Sequence, residues 1–281
     1  MILAKQMIVT EFDSRGVNSL FKFIDKNIQD VRIYRYALVQ FVINGLRTRY
    51  RRSALGFLWT LLNPLLLMTI MTIVFSIVFK MEVRVFGIFV FSGLAPWTFI
   101  SNSVLAGSQS IIGAEGFLKK VYLPKVLFPM VSVTTETVNF FFSILSLCII
   151  GLVLSFPIGG TILLLPLVIL ITYVFNLGIA LIFSIATVYF RDLSHILLVV
   201  FNALFYTMPI IYPLDLIPKQ YQIYFNLNPF YHFITLFRKT IYGTPGFTQA
   251  DWAIPIGLAL LALAIGLYML MKQNLDLIFR L

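Results

Sequence analysis

The sequence predicts an all-α integral membrane protein with six transmembrane helices, an N-terminal amphipathic interfacial helix, and an external re-entrant helix pair between spans five and six. Three observations lead there. Hydrophobic residues make up 60% of the 281 residues and charged residues 11%. Soluble domains hold about 45–50% and about 25%, so polar surface is too scarce here to cover a water-soluble globule. The apolar residues gather in runs of the roughly 20 that a helix needs to cross a hydrocarbon core about 30 Å thick. The basic residues gather outside those runs, and ten of the 21 Lys and Arg precede the first run.

Residues 1–55 read as a cytoplasmic N-terminal arm and residues 56–281 as the membrane domain. In the arm, Glu11, Asp13, Arg15, Lys22, Asp25 and Lys26 interrupt the first stretch. No signal-peptide core forms there, and the first span is expected to serve as the insertion signal. Further on, Val31, Tyr34, Leu38, Phe41, Val42 and Gly45 share one helical face, while Gln29, Arg32, Gln40, Asn44 and Arg47 lie opposite. That pattern predicts an interfacial helix over 28–50 with a basic wet side. Ile33, Val39 and Ile43 stray from the stripe and point to contact with protein as well as lipid.

The predicted spans cover 56–79, 86–106, 128–156, 162–189, 195–212 and 252–271. Pro157 and the Gly159-Gly160 pair end the third. Pro64, Pro96, Pro166, Pro209 and Pro255 fall inside spans and are expected to kink helices whose neighbours re-satisfy the backbone. With the N-terminus inside, the cytoplasmic segments hold 16 basic residues; the external ones hold five, Lys80, Arg84, Lys219, Arg238 and Lys239. This bias has the sign of the positive-inside rule and places both termini in the cytoplasm. A basic flank against anionic headgroups also accounts for the net charge of +10 without nucleic acid.

Two connections are more than turns. The inner one, 107–124, mixes apolar and charged residues and is too long for a tight turn. It either lies across the inner surface, presenting side chains to a cytoplasmic partner, or is an amphipathic linker. The outer one, 214–251, is rich in aromatics yet broken by Pro218, Asn228-Pro229 and Gly243-Thr244-Pro245-Gly246. Two helices of about ten residues, each reaching about 15 Å, fit it best. Hinged at Asn228-Pro229, they are expected to enter the outer leaflet and turn back. Broken backbone at that depth is tolerated only against protein or a watery cavity, so a re-entrant element at a pathway mouth is the leading reading.

Several chemistries are excluded. No Gly-rich Lys-Ser/Thr phosphate loop occurs. His195 and His232 make no metal motif, and Cys148 stands alone in an apolar run, as a buried inert thiol. No paired carboxylates mark a transferase, and carboxylates are too few for a proton relay. Glu136 is the one acid well inside a span, among Thr134, Thr135, Thr137 and Asn139. It serves either a pathway or gate role or a structural ion pair near the inner surface. The Arg191-Asp192 pair reads as a surface pair at a tight cytoplasmic turn, or as a contact for a partner. Trp59, Trp97, Phe99, Phe205, Tyr206 and Tyr212 are aromatic candidates for a substrate path; the other span aromatics pack or anchor. Sugar C–H faces pack on such rings, and Tyr and Trp polar groups bond to hydroxyls, so a long glycan could slide past them.

Three stretches carry a resemblance. They are Arg49-Tyr50-Arg51-Arg52-Ser53-Ala54-Leu55-Gly56-Phe57-Leu58-Trp59 with Leu62-Asn63-Pro64-Leu65, then Phe117-Leu118-Lys119-Lys120-Val121-Tyr122-Leu123-Pro124-Lys125, then Tyr212-Pro213 with Asn228-Pro229-Phe230-Tyr231 and Arg238. In order and over nearly the whole chain, they resemble the permease subunits of bacterial ABC exporters of polysaccharide. The resemblance implies a homodimer seated on two copies of a separate ATPase subunit. That subunit would bind ATP and Mg, and this chain would bind no cofactor and have no ATPase site of its own. A lipid-linked glycan (O-antigen, capsule or teichoic acid) would be carried across the cytoplasmic membrane. Glu115, Gly116, Phe117, Leu118, Lys119, Lys120 and Tyr122 would contact the ATPase, and Asn228, Pro229, Phe230 and Tyr231 would form an external gate. A drug or lipid permease, a membrane enzyme of lipid-linked sugars and a secondary transporter are the competing classes. The enzyme lacks a catalytic site here, and the secondary transporter lacks internal repeats.

Overall fold

The computed structural model describes residues 17–49, 53, 55–153, 160–242 and 246–273. The Tyr50-Arg51-Arg52 run, Pro157 and Gly159, the Gly243-Thr244-Pro245 turn and Arg280 lie outside the described residues. In hydrocarbon every backbone amide must be satisfied within its own segment or by protein, and the described chain meets this with helices and no strands. In order these are α1 (Val17–Ile33), α2 (Arg35–Arg49), α3 (Trp59–Phe79), α4 (Val83–Ser108), α5 (Ser110–Gly113), α6 (Glu115–Leu118), α7 (Leu127–Val153), α8 (Leu165–Tyr189), α9 (Leu193–Thr207), α10 (Lys219–Asn226), α11 (Pro229–Tyr242) and α12 (Gln249–Gln273).

Five of these helices, α3, α4, α7, α8 and α12, are long and apolar enough to cross a membrane. The predicted fifth span is shorter than expected. Helix α9 has 15 residues and reaches about 22 Å at 1.5 Å per residue. Its end is set by Pro209, which disfavours helical geometry in the residue before it; Met208 is accordingly extended, with φ −100° and ψ 148°. Irregular chain follows it, and α11 packs against α4, α8 and α12.

The interfacial helix starts earlier than predicted, at Val17, and is broken at Tyr34 into α1 and α2. The predicted faces hold except at Gly45, which was placed on the apolar stripe and is exposed. Val42 is buried and Val31, Tyr34, Leu38 and Phe41 are half-buried, whereas Gln29, Arg32, Gln40, Asn44 and Arg47 are exposed. Protein contact is made by the stripe itself: Phe41 meets Phe117 edge-on at 5.3 Å and lies 6.1 Å from Phe128. Ile33 and Val39 face away from protein, 70% and 50% exposed.

Helix α4 is the hub, packed by α3, α7, α8 and α11. In its most apolar stretch 72% of residues are buried within the chain, against 17% for α3, so α3 lines the edge of the bundle. Helices α8 and α12 approach most closely, through Gly178, Ala262 and Gly266. Small residues let backbones meet, and packing rather than hydrophobicity drives association in lipid. One end of the bundle gathers Phe23 of α1, Ile111, Ala114 and Leu118 of the inner connection, Leu181, Ile185 and Val188 of α8, and Leu270 of α12 into one apolar cluster. The other end holds the α3–α4 turn, where Lys80 takes the left-handed conformation at φ 53°. There too Thr161 hydrogen-bonds the Thr240 carbonyl at 3.0 Å. Helix α12 opens on a reciprocal cap: Thr248 N–H donates to the Asp251 carboxylate at 2.7 Å, which also pairs with Lys239 at 2.6 Å.

Candidate translocation and coupling sites

Three places combine polar or exposed groups with a defined scaffold. The first is a polar pocket of about 110 Å³ between α3, α4 and α7. Pro64 shapes its α3 wall, since proline brings no N–H to the helical ladder and its ring crowds the preceding turn. One turn before it the Ser146 hydroxyl of α7 donates to the Leu61 carbonyl at 3.2 Å, fastening α3 to the bundle. Glu136 and Asn139 of α7 line the pocket with Asn63 of α3 and Thr98 and Asn102 of α4, and Trp59 stands at its rim. The Asn139 amide donates to Glu136 Oε2 at 3.0 Å, while Asn139 Oδ1 is buried without a hydrogen-bond partner. Glu136 itself is buried. Thr135 and Thr137 are turned to their own helix, bonding the carbonyls of Val131 and Val133, and Thr134 reaches Tyr173 at 3.0 Å.

The second place is the hairpin of α10 and α11. Asn228 caps α11 by accepting the Phe230 N–H at 3.0 Å, and Pro229 takes the first helical position, where a missing N–H does no harm. This tip is half-buried against the bundle: Phe230 packs against Trp97, Phe175 and Phe201 at 6.1, 5.9 and 5.6 Å. Behind it Phe233 stacks on Phe175 at 4.3 Å and Phe237 meets Phe140 at 5.3 Å. Helix α10 stays outside, with no buried residue. Tyr231 lies 6.2 Å from Phe225, joining the two arms.

Arg238 of α11 explains how the chain tolerates the break after α9. Its guanidinium donates to the carbonyls of Pro209 at 2.6 Å and Ile210 at 2.8 Å, acceptors left behind when the helix stops. It also lies over the Phe89 ring at 4.0 Å. Gly93 makes room, because a Cβ there would stand 2.6 Å from Arg238 Nη2. The charge count along the sequence treated Arg238 as an external loop cation; its proximity to Pro209 is the signal that was missed.

The third place is the inner connection. Helices α5 and α6 are pinned by Ile111, Ala114 and Leu118, which point into the core. Phe117, Val121 and Tyr122 point outward, 52%, 57% and 69% exposed, beside exposed Gly116, Lys119 and Lys120. Leu118 thus anchors the segment that the others present. Lys119 pairs with Glu115 one turn back. The hydrogen bond from Lys119, then its charge, hold the Glu115 carboxyl below its ordinary range, and Arg191 adds in the same sense. The Arg191 turn therefore lies at the same end as the connection.

The path aromatics divide. Trp97 and Phe99 are buried within the chain, Trp97 against Phe201 and Phe205 and Phe99 stacked on Phe140 at 4.8 Å. Trp59 and Tyr206 reach the chain surface, 37% and 71% exposed. Half-buried Tyr212 donates to the Tyr206 carbonyl at 3.3 Å.

A bundle of long apolar helices with a hairpin packed into it and an exposed connection at one end is the architecture of a multi-pass membrane protein. The family model for ABC-2 type transporters matches residues 36–242, and the chain belongs to that family. It is 33% identical over 217 residues to the O-antigen export system permease protein RfbA of Myxococcus xanthus, covering 76% of this chain and 84% of that one. An RfbA of the same description from Klebsiella pneumoniae is 28% identical, over 73% of this chain and 80% of its own. The polysialic acid transport protein KpsM of Escherichia coli is 27% identical, with the same coverage.

Proposed function

We propose that this chain is the transmembrane subunit of an ATP-driven exporter that moves a lipid-linked polysaccharide, O-antigen or a related surface glycan, across the bacterial cytoplasmic membrane. The similarity to an O-antigen export permease over three quarters of the chain carries this reading. The similarity to a polysialic acid transport protein supports a capsule-type glycan as the second reading. The chain works as a homodimer with both termini cytoplasmic, seated on two copies of an ATP-binding subunit. ATP and Mg are held by that partner. The exposed ring and hydroxyl of Phe117 and Tyr122, raised on a buried apolar base, suit insertion into a groove of the partner, so that nucleotide-driven motion reaches α4 and α7 directly.

Deletion of the gene is expected to remove surface polysaccharide while leaving drug tolerance unchanged. The purified chain is expected to hydrolyse no ATP alone and to co-purify with an ATP-binding subunit. Loss of drug tolerance with intact polysaccharide would overturn the glycan reading. The double variant Phe117→Ala, Tyr122→Ala is expected to weaken that co-purification about thirtyfold or more, since a single aromatic anchor at an interface contributes about 2 kcal/mol. Wild-type recovery of the partner would remove the connection from the interface.

A further inference from the structure

We infer that Ser103 of α4 and Asn176 of α8 form a latch, unpaired while the tip of α11 is seated and hydrogen-bonded to each other when the tip withdraws and the exit opens. This rests on the export reading and adds a conformational device to it. Both side chains are 0% exposed. The Ser103 hydroxyl and both polar atoms of the Asn176 amide have no hydrogen-bond partner among the described residues. A buried polar group left so carries its full desolvation cost, and a second arrangement that pairs them is favoured by that amount. The omission is specific to this pair. Ser92, Ser101 and Ser108 of α4 and Thr172, Ser184 and Thr187 of α8 all bond a carbonyl of their own helix.

Helix packing brings the two groups together. Phe230 touches Trp97 of α4 and Phe175 of α8. Further along the same helices a Cβ on Gly107 would stand 2.4 Å from Ala180 Cβ. The two contacts follow the same chain order, so α4 and α8 run parallel. Residues four apart share a helix face. One turn back from Gly107 is Ser103, and one turn back from Ala180 is Asn176. Each step is about 6 Å at 1.5 Å per residue, so the pair stands abreast on the facing sides. The Gly107–Ala180 contact is tight enough to serve as a pivot. At the other end of the seam the Phe230 ring lies 6.1 Å from Trp97 and 5.9 Å from Phe175, and spaces the helices. Ser103 and Asn176 lie between pivot and spacer. When the spacer leaves, the seam closes and the hydroxyl meets the amide. The inner connection begins directly after α4, at Ser110. Its Ile111 shares an apolar cluster with Leu181 of α8, so motion of the partner subunit enters both helices beside the pivot.

The test uses the full exporter in cells, with Cys148→Ser removing the one native thiol and Ile234→Cys as reporter. Ile234 lies on α11 at 1% exposure, so a small charged methanethiosulfonate reagent added outside labels it only when the tip is unseated. The labelling rate therefore reads that population. Ser103→Ala and Asn176→Leu are each expected to slow labelling about threefold to fivefold, the worth of one net hydrogen bond. The double variant is expected to be no slower than the slower single variant, because both remove the same bond. Leucine has the shape of asparagine without its polar atoms, so Asn176→Leu is also expected to raise the melting temperature of the detergent-extracted protein. Ser103→Ala removes a single oxygen, and its result decides the matter even where Asn176→Leu does not fold. The inference is overturned if the reporter never labels in the parent or if Ser103→Ala labels at the parent rate or faster. It is also overturned if the two effects multiply in the double variant. A folded Asn176→Leu with a lowered melting temperature would overturn it as well, assigning the amide to a fixed structural bond. If polysaccharide is lost on gene deletion but the variants label like the parent, the export reading stands and the latch falls. If the deletion leaves polysaccharide in place, the export reading falls whatever the thiol shows.

Discussion

Arg238→Met is expected to unseat the external hairpin and to abolish export. The two hydrogen bonds at 2.6 and 2.8 Å satisfy carbonyls that the halted α9 leaves without helical partners. Methionine fills similar space but donates nothing, so both acceptors are stranded in an apolar setting. Each stranded group costs about 1–3 kcal/mol, giving at least about 2 kcal/mol at the junction of α9 and α11. Arg238→Lys is expected to recover the protein only in part, because an ammonium is a point charge and cannot reproduce the planar fork between two acceptors. Gly93→Val should reproduce the defect from the other side, since any Cβ there stands 2.6 Å from the guanidinium and 3.3 Å from the Ile210 carbonyl. Hydrogen exchange over residues 208–213 is the direct measurement, with surface polysaccharide as the functional one. Parent-like exchange in Arg238→Met would show that the carbonyls find other partners and that the clamp is dispensable.

The contrast between what the sequence revealed here and what it concealed has a physical source. Spans of hydrophobic residues and flanks of basic ones report on solvent, and the solvent acts on each segment separately. Hence α3, α4, α7, α8 and α12 and the wet face of α2 could be read directly. The hinge at Asn228-Pro229 was equally legible, because capping and proline chemistry are local. Which faces meet is not local. Glu136 and Asn139 were visible as neighbours on one helix, but Asn63, Thr98 and Asn102 join them only through the rotation of α3 and α4 about their axes. Trp97 and Phe99 have the composition of path residues and the burial of core residues, and residue type cannot tell the two apart. Pro209 was read as a kink that neighbours would repair. The repair is made by Arg238, from a segment whose charge had marked it as external.

The second large effect is expected at the seam between α8 and α12. A Cβ on Gly178 would stand 2.4 Å from both the Ala262 carbonyl carbon and the Leu263 nitrogen. A Cβ on Gly266 would stand 2.7 Å from the Gly178 carbonyl oxygen and 2.8 Å from Leu181 Cβ. The obstacles are mainly backbone atoms, which cannot rotate aside as a long side chain can. Gly178→Val and Gly266→Val must therefore push the helices apart along their length. Overpacking a core costs about 1–3 kcal/mol and occasionally more, and these contacts belong at the upper end because the close approach itself holds the pair together in lipid. Separation would reach beyond the pair, because α11 packs on both helices and Lys239 is tied to Asp251 at the start of α12. The measurement is the yield and melting temperature of detergent-extracted protein, with Gly257→Ala as control. Gly257 lies on the same helix with nothing within 4 Å of its would-be Cβ, so alanine there should be neutral or slightly stabilising through helix propensity. Equal damage at Gly257 and Gly266 would place the sensitivity in α12 as a helix and remove it from the seam; damage at Gly178 and Gly266 with Gly257→Ala neutral would assign it to the contact.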